Sequence, residues 1–392
     1  MHNLKIGYDV SQAYGKITGC GQFAKNLLSS LNLVQDEIEL RLFSNVGDFW
    51  FNEEKNKPSF NIKKSYNIEW FQTRNECVKA WKNESYDYLF HGLDLIHLNN
   101  FWCPDKVVTP KIVFTVYDLN FLEFPDWSTE TNRNGCFQGI YNSSLYADHI
   151  VFISNFTRKK YLEIFPYYPK NKTSIIYPSS QYEKNKHEKE KPKLKVNIES
   201  KKFWLNVSTI EPRKNQTMLL DAYCMYLKQS KNKYPLVIVG SYGWLMSKFE
   251  SEIENRDLIG QVILAGYISD DELAWCYNHC YGNLYPALYE GFGIPVLEGM
   301  LFGAPTGCSN VTSLPEVAGD AAVLLDPKKP NEWSSFMLRL ETDLAFRTYL
   351  ANAGPSQAAK FSSNTSGRTC LDIYRCVVQQ NKAIYDSYKS VV

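Results

Sequence analysis

Hydrophobic and polar residues alternate along the chain as short apolar runs separated by longer stretches with helical spacing. The opening run "LKIGYDV" predicts a strand. In "GQFAKNLLSSL" the apolar residues recur at three and four positions, which predicts a helix. "KIVFTVYDL" and "HIVFIS" predict two further buried strands in the first half. This alternation is typical of βα units and therefore predicts parallel sheets.

The same rhythm restarts after residue 202. Strands are predicted in "KFWLNVSTI", "YPLVIVG", "QVILAGYIS" and "YGNLYPALY", and helices in "NQTMLLDAYCMYLKQS" and "DDELAWCYNHC". We therefore predict an α/β protein with two Rossmann-like domains, 1–180 and 201–364, joined by a linker over 181–200. A C-terminal helix in 365–392 is expected to pack back on the first domain. A ligand cleft is expected between the domains, at the carboxyl ends of the strands.

Composition and charge narrow the function classes. The 392 residues are 44% hydrophobic and 15% aromatic, with a formal net charge of +1. A balance this close to neutral gives no indication of a nucleic-acid partner. The segment "MHNLKIGYDVSQ" lacks the features of a signal peptide, and no apolar run reaches the roughly 18 residues of a membrane span. We expect a cytoplasmic protein, or one at the inner face of the membrane.

A lysine-rich segment and the cysteines each leave an alternative open. Residues 157–202 are basic, but they mix both charge signs without apolar periodicity, which favours a solvated linker over a membrane-surface patch. Peripheral contact with an anionic leaflet remains the alternative. The ten cysteines contain no C-x-x-C pair, and Cys276, His279 and Cys280 lack a nearby fourth ligand. Reduced thiols and no metal are the expectation.

Two glutamates stand out in the apolar stretch "YPALYEGFGIPVLEGMLFG". The glycines around Phe292 permit a tight turn, Pro295 suits a first helical turn and Gly303 a helix end. The predicted helix spans about 294–302, and its N-terminus would attract an anion such as phosphate. Glu290 precedes this helix and Glu298 lies one turn inside it. A buried salt bridge is one interpretation of these carboxylates; binding of sugar hydroxyls is the favoured one.

Two further groups of residues suit a diphosphate. Arg213 and Lys214, in "VSTIEPRKNQ", lie between a predicted strand and a predicted helix, where two cations can hold phosphates. Gly19 and Gly21, in "GKITGCGQFAKNLL", mark a loop whose amides could approach phosphate or substrate. Adjacent cations in a loop are more often simply solvated, and such a glycine loop is weak evidence alone. Together with the glutamates, they indicate a nucleotide-sugar site.

With these motifs, the chain resembles the family-4 retaining glycosyltransferases, which have the GT-B fold. The resemblance rests on "IEPRKNQTMLLDAY", "LAGYISDDEL", "ALYEGFGIPVLEGMLFGAPTGCSNVTSLPEVAGDAAVLLDP" and the spacing of Glu290 and Glu298. In the first half, "DLNFLEFPDW" and "ADHIVFISNFTRKKYL" resemble the mannosyltransferase-like branch, which assembles O-antigen and related polysaccharides.

The resemblance implies that 1–180 is the acceptor side and 201–364 the nucleotide-sugar donor side. It also implies a role for each position of the donor site. Arg213 and Lys214 would hold the diphosphate with amides of the Gly19–Gly21 loop. Glu290 would bind hydroxyls of the donor sugar. The resemblance assigns the rest of the donor site as follows: amides of Gly291, Phe292 and Gly293 beside the sugar, Glu298 on the ribose diol, and Tyr267 with Ile268 along the base.

Other positions concern the first domain and departures from the family. His91 in "LFHGLD" matches a family histidine near the cleft, although a histidine satisfied in the core is an equal alternative. Tyr117 stands beside Asp118 where the family commonly has histidine, so both are candidate substrate-binding residues. Ser208 replaces a usual glycine, where its hydroxyl would crowd or contact the phosphates. The late "FSSNTSG" lacks a common tryptophan.

The predicted function is transfer of a hexose, with mannose from GDP-mannose as the best guess, to a growing polysaccharide or glycolipid. No D-x-D motif occurs, so no cofactor or metal is expected, and the side-chain cations take its place. The family implies retention by front-face attack, with closure of the domains over the donor. The alternatives are a sugar-nucleotide epimerase or hydrolase on the same scaffold and a catalytically silent sugar-nucleotide-binding subunit. The sequence does not predict the acceptor, the linkage formed or the oligomeric state.

Overall fold

A computed structural model describes residues 3–15, 17–62, 66–82, 86–182, 191–193, 198–241, 243 and 249–389, without the side chains of 33, 35 and 380–389. Residues 183–190 and 194–197, which make up most of the predicted linker and part of the lysine-rich segment, lie outside this description. The chain divides into two compact units. Unit 1 comprises 1–181 and 362–392, and unit 2 comprises 182–361.

Unit 1 is built on a seven-stranded sheet in the order β3-β2-β1-β4-β5-β6-β7, in which every pair of neighbours is parallel. Its strands are β1 Leu4–Asp9, β2 Ile38–Phe43, β3 Asn67–Glu69, β4 Leu95–Leu98, β5 Lys111–Val116, β6 His149–Phe152 and β7 Thr173–Ile175. The central strands β4, β5 and β6 are almost wholly buried, as expected where helices cover both faces of a parallel sheet.

The helices of unit 1 connect these strands. They are α1 Gly19–Leu31, α2 Arg74–Lys82, α3 Asn120–Glu123, α4 Glu130–Tyr146 and α5 Asn155–Ile164. The predicted apolar face of α1 is the buried one, with Phe23, Leu27, Leu28 and Leu31 in the core. Helix α5 begins at an N-cap serine, Ser154, whose hydroxyl accepts from the Thr157 amide.

Unit 2 repeats the architecture with a six-stranded parallel sheet in the order β10-β9-β8-β11-β12-β13. Its strands are β8 Trp204–Val207, β9 Leu236–Val239, β10 Val262–Gly266, β11 Gly282–Tyr285, β12 Thr306–Ser309 and β13 Val323–Leu325. Two parallel α/β units therefore confirm the predicted fold class.

Seven helices of the described part of unit 2 flank this sheet. They are α6 Gln216–Gln229, α7 Phe249–Glu254, α8 Asp270–His279, α9 Ile294–Leu301, α10 Leu314–Ala318, α11 Pro330–Thr342 and α12 Leu344–Ala358. Helix α8, predicted from its acidic start, opens with a capping box in which Ser269 and Glu272 bond each other's backbone amides.

The last helix, α13 Ser363–Lys389, returns to unit 1 and packs on α1. Ser366 donates its hydroxyl to the Tyr177 carbonyl at 3.0 Å, and Tyr374 hydrogen-bonds the buried His97 at 2.6 Å. Unit 1 is consequently made from two segments of the chain that lie far apart in sequence. Within the described residues, no helix has the length and apolar character to cross a bilayer.

Candidate functional site

The strand order of unit 2 reverses between β8 and β11. From β8 the chain proceeds outward to β9 and β10, and it then returns to β11, beside β8, before continuing to β12. The loops that leave the carboxyl ends of two such strands diverge, and open α/β sheets bind ligands in the crevice between them. Arg213 and Lys214 follow β8, and Glu290 follows β11. The Leu288 amide donates to the Arg213 carbonyl at 2.7 Å and joins the two loops.

At this switch point the predicted cations and Glu290 form one ion cluster. Lys214 Nζ contacts Glu290 Oε1 and donates to the Tyr285 hydroxyl at 3.1 Å. Tyr285 in turn donates to Glu290 Oε1 at 2.9 Å. Arg213 reaches Glu290 Oε2 through Nη1 at 3.4 Å and Glu211 Oε1 through Nε at 2.6 Å. We call Glu211, Arg213, Lys214, Tyr285 and Glu290 the ion cluster.

The electrostatics of the ion cluster follow from its burial. Burial raises the pKa of Glu290, but the charges of Lys214 and Arg213 outweigh it, so the pKa falls below its ordinary value. Burial and the charge of Arg213 lower the pKa of Lys214, against the opposing pull of Glu290 and Glu211. Burial and the adjacent Glu290 raise the pKa of Tyr285 well above its usual range. Glu290 is therefore ionised at neutral pH and Tyr285 is a neutral donor.

Local backbone geometry fixes the loop after β8, which carries Arg213 and Lys214. Pro212–Lys214 form one 3-10 turn, and Asn215 ends it in the left-handed region at φ 61°, which asparagine tolerates well. The Asn215 side chain donates to the carbonyls of Pro286 at 3.1 Å and Pro327 at 2.7 Å. Asn215 thus precedes the first residue of α6 and connects the loop after β8 to the loop after β11.

The loop before α9 is held from the side of β12. Glu290 donates its amide to Thr312 Oγ1 at 3.2 Å. The Ser313 hydroxyl bonds the carbonyls of Glu290, at 2.9 Å, and Phe292, at 3.0 Å. Gly293 has φ 104°, and a Cβ there would lie 2.5 Å from Leu314, so only glycine suits this position. Gly291, Phe292 and Gly293 form the turn that the sequence predicts.

Glu298 occupies a different environment from Glu290. It lies in the second turn of α9 and is buried, beside Tyr277 of α8. Burial and then the Glu298 charge raise the pKa of the Tyr277 hydroxyl well above its usual range. The described contacts place Glu290 in the ion cluster and Glu298 beside Tyr277. That both carboxylates hold one ligand stays a prediction.

Three other predicted donor residues take contrasting positions. Tyr267 follows β10 and is 83% exposed, while Ile268 is half-buried against a core group that includes Phe203 and Leu205. Both follow the carboxyl end of a strand, as the ion cluster does, but β10 is the edge strand. Ser208 donates to Asn206 Oδ1 at 3.2 Å and accepts from Gln216 Nε2 at 2.8 Å. Its hydroxyl is engaged by its own neighbours. That it crowds or contacts the phosphates stays a prediction.

The glycines of the first domain differ from their prediction. Gly19 and Gly21 lie in the first turn of α1 and not in the loop before it. A Cβ on Gly21 would stand 2.0 Å from the Gln12 carbonyl oxygen, so a close contact with the preceding loop requires this glycine. Gly19 and Gly21 therefore begin α1 instead of forming a loop, and close packing on Gln12 accounts for Gly21. That amides at these positions approach a phosphate stays a prediction.

Of the two candidate residues after β5, Tyr117 differs from expectation, while substrate binding by Asp118 stays a prediction. Tyr117 is buried, donates its hydroxyl to the Asn99 carbonyl at 3.1 Å and packs edge-to-face on Phe23. Its side chain belongs to the core, in contrast to the expected contact with substrate. Asp118 accepts from the Asn120 amide at 3.3 Å and so stabilises the start of α3.

His91 is placed at the wrong edge of the sheet for its predicted role. It precedes β4, and nearby Asp94 donates its amide to Lys5 at the start of β1, which marks the amino-terminal edge. Its side chain is exposed, so the alternative of a core histidine is wrong as well. The buried histidine of this region is His97, which bonds Tyr374 and Thr115 and has a pKa that burial lowers to about 3.

The sequence did not single out Glu211, Tyr285, Thr312 or Ser313 as parts of the site. Glu211 and Tyr285 lie next to the predicted site residues, in "IEPRKN" and "NLYPALYEG". Both are polar groups at a strand end, in a stretch predicted to be buried, and this pattern could have identified them. Thr312 and Ser313 carried no such signal, because they reach Glu290 from another βα unit.

Comparison with known proteins adds the following. Residues 187–357 match the family model described as glycosyl transferases group 1. The chain is 28% identical over 388 residues to O-antigen chain mannosyltransferase B of Escherichia coli, covering 95% of this chain and 100% of that protein. It is 34% identical over 186 residues to the serotype-specific mannosyltransferase WbdA of Escherichia coli, covering 46% of this chain and 23% of that protein.

Solved structures establish the fold. Anabaena Alr3699/HepE, crystallised with UDP and glucose, matches 95% of this chain and 99% of its own with a TM-score of 0.68 and 15% identity. WaaG, described as a glycosyltransferase involved in lipopolysaccharide biosynthesis, matches 94% of this chain and 99% of its own with a TM-score of 0.67 and 16% identity. The chain has the GT-B fold, and the residues that match the group 1 model all lie in unit 2.

Proposed function

We propose that this chain is a retaining glycosyltransferase that moves a hexose from a nucleotide-sugar to a growing polysaccharide or glycolipid. Mannose from GDP-mannose is the favoured donor. The observation that carries the proposal is the ion cluster at the switch point of the unit that matches the group 1 model. The similarity to O-antigen chain mannosyltransferase B over nearly the whole chain supports the choice of sugar and product.

Arg213 and Lys214 would stabilise the leaving diphosphate. As the bond between the anomeric carbon and the phosphate oxygen breaks, negative charge grows on that oxygen. Fixed cations are most effective where such charge develops. Lys214 is buried, while 23% of the Arg213 side chain stays exposed, so Arg213 is the more accessible to an incoming donor. We propose that these side chains supply the positive charge without a metal.

Glu290 would orient the donor and the lysine. Its Oε1 atom accepts from Lys214 and Tyr285, and its Oε2 atom lies near Arg213. A carboxylate shared between two cations is a weak nucleophile and, with its lowered pKa, a poor general acid at neutral pH. It remains a good acceptor for sugar hydroxyls. This argues for a binding role and against a covalent intermediate on Glu290.

Retention then follows from attack on the same face of the sugar. The acceptor oxygen forms its bond to the anomeric carbon while the phosphate oxygen departs with the bonding electrons. That phosphate oxygen takes the acceptor's proton, so no residue of the chain has to act as the base. Glu298, beside Tyr277 on α9, would bind the ribose, and the exposed Tyr267 would lie along the base.

The proposal is tested by donor binding and by turnover. We expect GDP-mannose to raise the melting temperature of the purified protein more than UDP-glucose or UDP-galactose does. Mannose transfer should give an α-linked product by NMR and continue in excess EDTA. An Arg213→Lys variant keeps the charge but loses the planar fork, and we expect its kcat/KM to fall by about 10²-fold.

A matched control is Arg256→Gln, which removes another partly buried arginine of unit 2, one that pairs with Asp221 and Glu252. Its kcat/KM should stay close to that of the wild type. Consumption of the donor at the same rate with and without acceptor would favour a hydrolase or epimerase instead. Donor binding without turnover across a panel of mannosides would favour a silent binding subunit.

A further inference from the structure

Unit 1 contains a cleft with a volume of about 770 Å³, and Phe101 and Trp102 of the loop after β4 lie in its wall. Helix α2, helix α4 and the loops after β2 and β4 surround it. Its lining combines aromatic rings with polar groups; the rings used below are Trp81, Tyr86 and Trp102, and the polar side chains are Asp48, Asp105 and Gln138. Pockets of roughly 300–1,000 Å³ with a few placed polar groups are typical of small-ligand sites.

The central ring, Trp102, is held in one orientation and stays partly exposed. It packs edge-to-face on Trp81, with ring centroids 4.9 Å apart, and on Tyr86 at 6.0 Å. Gly47 lies against it, and a Cβ at that position would be 2.2 Å from the indole. The chain therefore keeps a glycine, with φ 77°, where any side chain would displace this ring.

The loop that carries Trp102 is pressed onto α4. Phe101 adopts φ 39°, a strained value for a bulky residue. Its carbonyl oxygen would lie 1.6 Å from a Cβ on Gly139 of α4, so this contact too requires glycine. Strained backbone that the surroundings hold in place is common at ligand sites. The aromatic wall of the cleft is thus preorganised and does not depend on a ligand to form.

The polar rim is also held by the protein itself. Asp48 pairs with Lys82 at 3.2 Å, and Asp105 accepts from the Tyr86 hydroxyl at 3.3 Å. Gln138 donates to Asn142 at 2.9 Å, which fixes its amide at the rim. These side chains keep further oxygen and nitrogen atoms that could meet a ligand.

The charge of the rim narrows the ligand class. The lining holds two carboxylates, Asp48 and Asp105, and two lysines, of which Lys82 pairs with Asp48 and Lys106 with the neighbouring Asp87. A nucleotide or phosphate would need surplus cations, whereas a neutral ligand would not. A pyranose ring suits the combination, because its C–H face carries partial positive charge toward the negative face of an aromatic ring. Its hydroxyls can exchange hydrogen bonds with the carboxylates and amides of the rim.

We propose that this cleft binds a neutral oligosaccharide through the face of Trp102 and the rim of Asp48, Asp105 and Gln138. Given the proposed function, on which this assignment rests, the oligosaccharide is part of the acceptor glycan. The volume suits a short segment of two or three sugar units, roughly the size of a drug-like ligand.

The test is a fluorescence titration with oligosaccharides. The probes are α-linked mannobiose, mannotriose, maltose and chitobiose, each added to about 10 mM, with GDP-mannose titrated separately. Trp102→Phe removes the proposed reporter and keeps a ring in the core. Trp127→Phe is the matched control, because Trp127 stacks on Phe124 at 4.2 Å, outside the cleft.

We expect at least one oligosaccharide to change the tryptophan emission of the wild type and of Trp127→Phe, but not of Trp102→Phe. Asp105→Asn and Gln138→Ala lie at the exposed rim and should weaken binding about tenfold, the equivalent of one good hydrogen bond. In steady-state kinetics of mannose transfer, Asp105→Asn and Gln138→Ala should raise KM for the glycan about tenfold and leave KM for GDP-mannose unchanged.

Two results would overturn the assignment. One is that none of the four oligosaccharides binds the wild type, and the other is that Trp102→Phe, Asp105→Asn and Gln138→Ala bind them as the wild type does. Glycan binding at Trp102 without any transfer from GDP-mannose would instead refute the proposed function and leave the cleft assignment standing.

Discussion

The two units have the same sheet architecture, yet their switch points hold opposite chemistry. In unit 2, β8 and β11 bring together two cations, two carboxylates and a phenol. In unit 1, β1 and β4 bring together Asp9, Ser11 and Asn99. Asp9 is fully buried and accepts from the Ser11 amide and hydroxyl, at 2.9 and 2.6 Å, and from the Asn99 amide at 3.0 Å. Among the described residues, no cation pairs with it.

The difference shows that topology sets where a site can form, while charge decides what it can do. Burial raises the pKa of Asp9 to about 6, because neutral hydrogen bonds only partly offset the loss of water. Two cations lower the pKa of Glu290 despite equal burial. The switch point of unit 1 therefore organises the loops around it, whereas that of unit 2 offers charge to a ligand.

The largest effect is expected from Lys214→Met. This variant leaves the buried Glu290 with Arg213 as its remaining cationic partner, and breaking a buried pair in this way costs about 3–5 kcal/mol. We also expect kcat/KM for mannose transfer to fall at least about 10²-fold. Urea unfolding and initial-rate kinetics measure the two effects.

The double variant Lys214→Met, Glu290→Gln is the control for the first prediction. It removes both charges and should recover most of the lost stability without recovering activity. If the single and double variants are equally stable, the pair is not the source of the loss.

The next effect concerns Asp9 and pH. Its pKa is about 6 in the folded protein and 3.8 ordinarily, so the folded state binds the proton more tightly. The resulting stabilisation is full below the ordinary value and is lost as pH rises through about 6, by about 3 kcal/mol in total. The stability of the wild type relative to Asp9→Asn should fall by this amount between about pH 4 and pH 7, measured by calorimetry.

Glu290 gives a second test of the contrast between the switch points, because its contribution to stability changes with pH in the direction opposite to that of Asp9. Its folded pKa is lowered, so its stabilisation is present above the ordinary value and is lost as pH falls through the folded one. The stability of the wild type relative to Glu290→Gln should therefore fall on acidification. Slopes of the same sign for Asp9→Asn and Glu290→Gln would contradict the contrast between the switch points.

A smaller effect is expected from Ser208→Gly. The hydroxyl bonds Gln216 and Asn206, so its removal should cost about 1 kcal/mol of stability. Because these neighbours engage the hydroxyl, the affinity for GDP-mannose should change less than about threefold by calorimetric titration. A large loss of affinity with unchanged stability would show that Ser208 contacts the donor directly.

The smallest effect is expected from His91→Ala. The side chain is exposed at the amino-terminal edge of the sheet, so stability should change by less than about 0.5 kcal/mol and kcat/KM should not change. His97→Ala is the contrasting variant, since it removes buried hydrogen bonds to the hydroxyls of Tyr374 and Thr115 and should cost about 1–3 kcal/mol. A drop in kcat/KM for His91→Ala would restore its predicted role.

Periodicity predicted the strands that are apolar throughout, such as β5 and β9, and the amphipathic helix α1. It missed β12, whose sequence "TGCS" is fully buried but made of small side chains, and β4, where His97 interrupts the apolar run. In both, burial comes from neighbouring strands and not from the hydrophobicity of the segment, which is the signal that sequence analysis uses.

The candidate site could be predicted where its residues lie close together in the sequence. Glu290 and the turn around Gly293 form one continuous motif, and Arg213 and Lys214 form another. That the two motifs meet depends on β8 and β11 being adjacent, which no local pattern encodes. The surroundings of Gly21 and His91 were not predictable for the same reason, since packing against Gln12 and the direction of β4 depend on the tertiary structure.

The return of α13 to unit 1 has a consequence for the order of folding. At about 5–20 residues per second, a ribosome takes roughly ten to forty seconds to translate the whole of unit 2 between the two parts of unit 1. During that interval the nascent first half lacks the helix that supplies Tyr374 to His97 and covers α1. The later-made unit can therefore mature first, while the earlier-made one waits with the side of α1 that α13 will cover still open to chaperones.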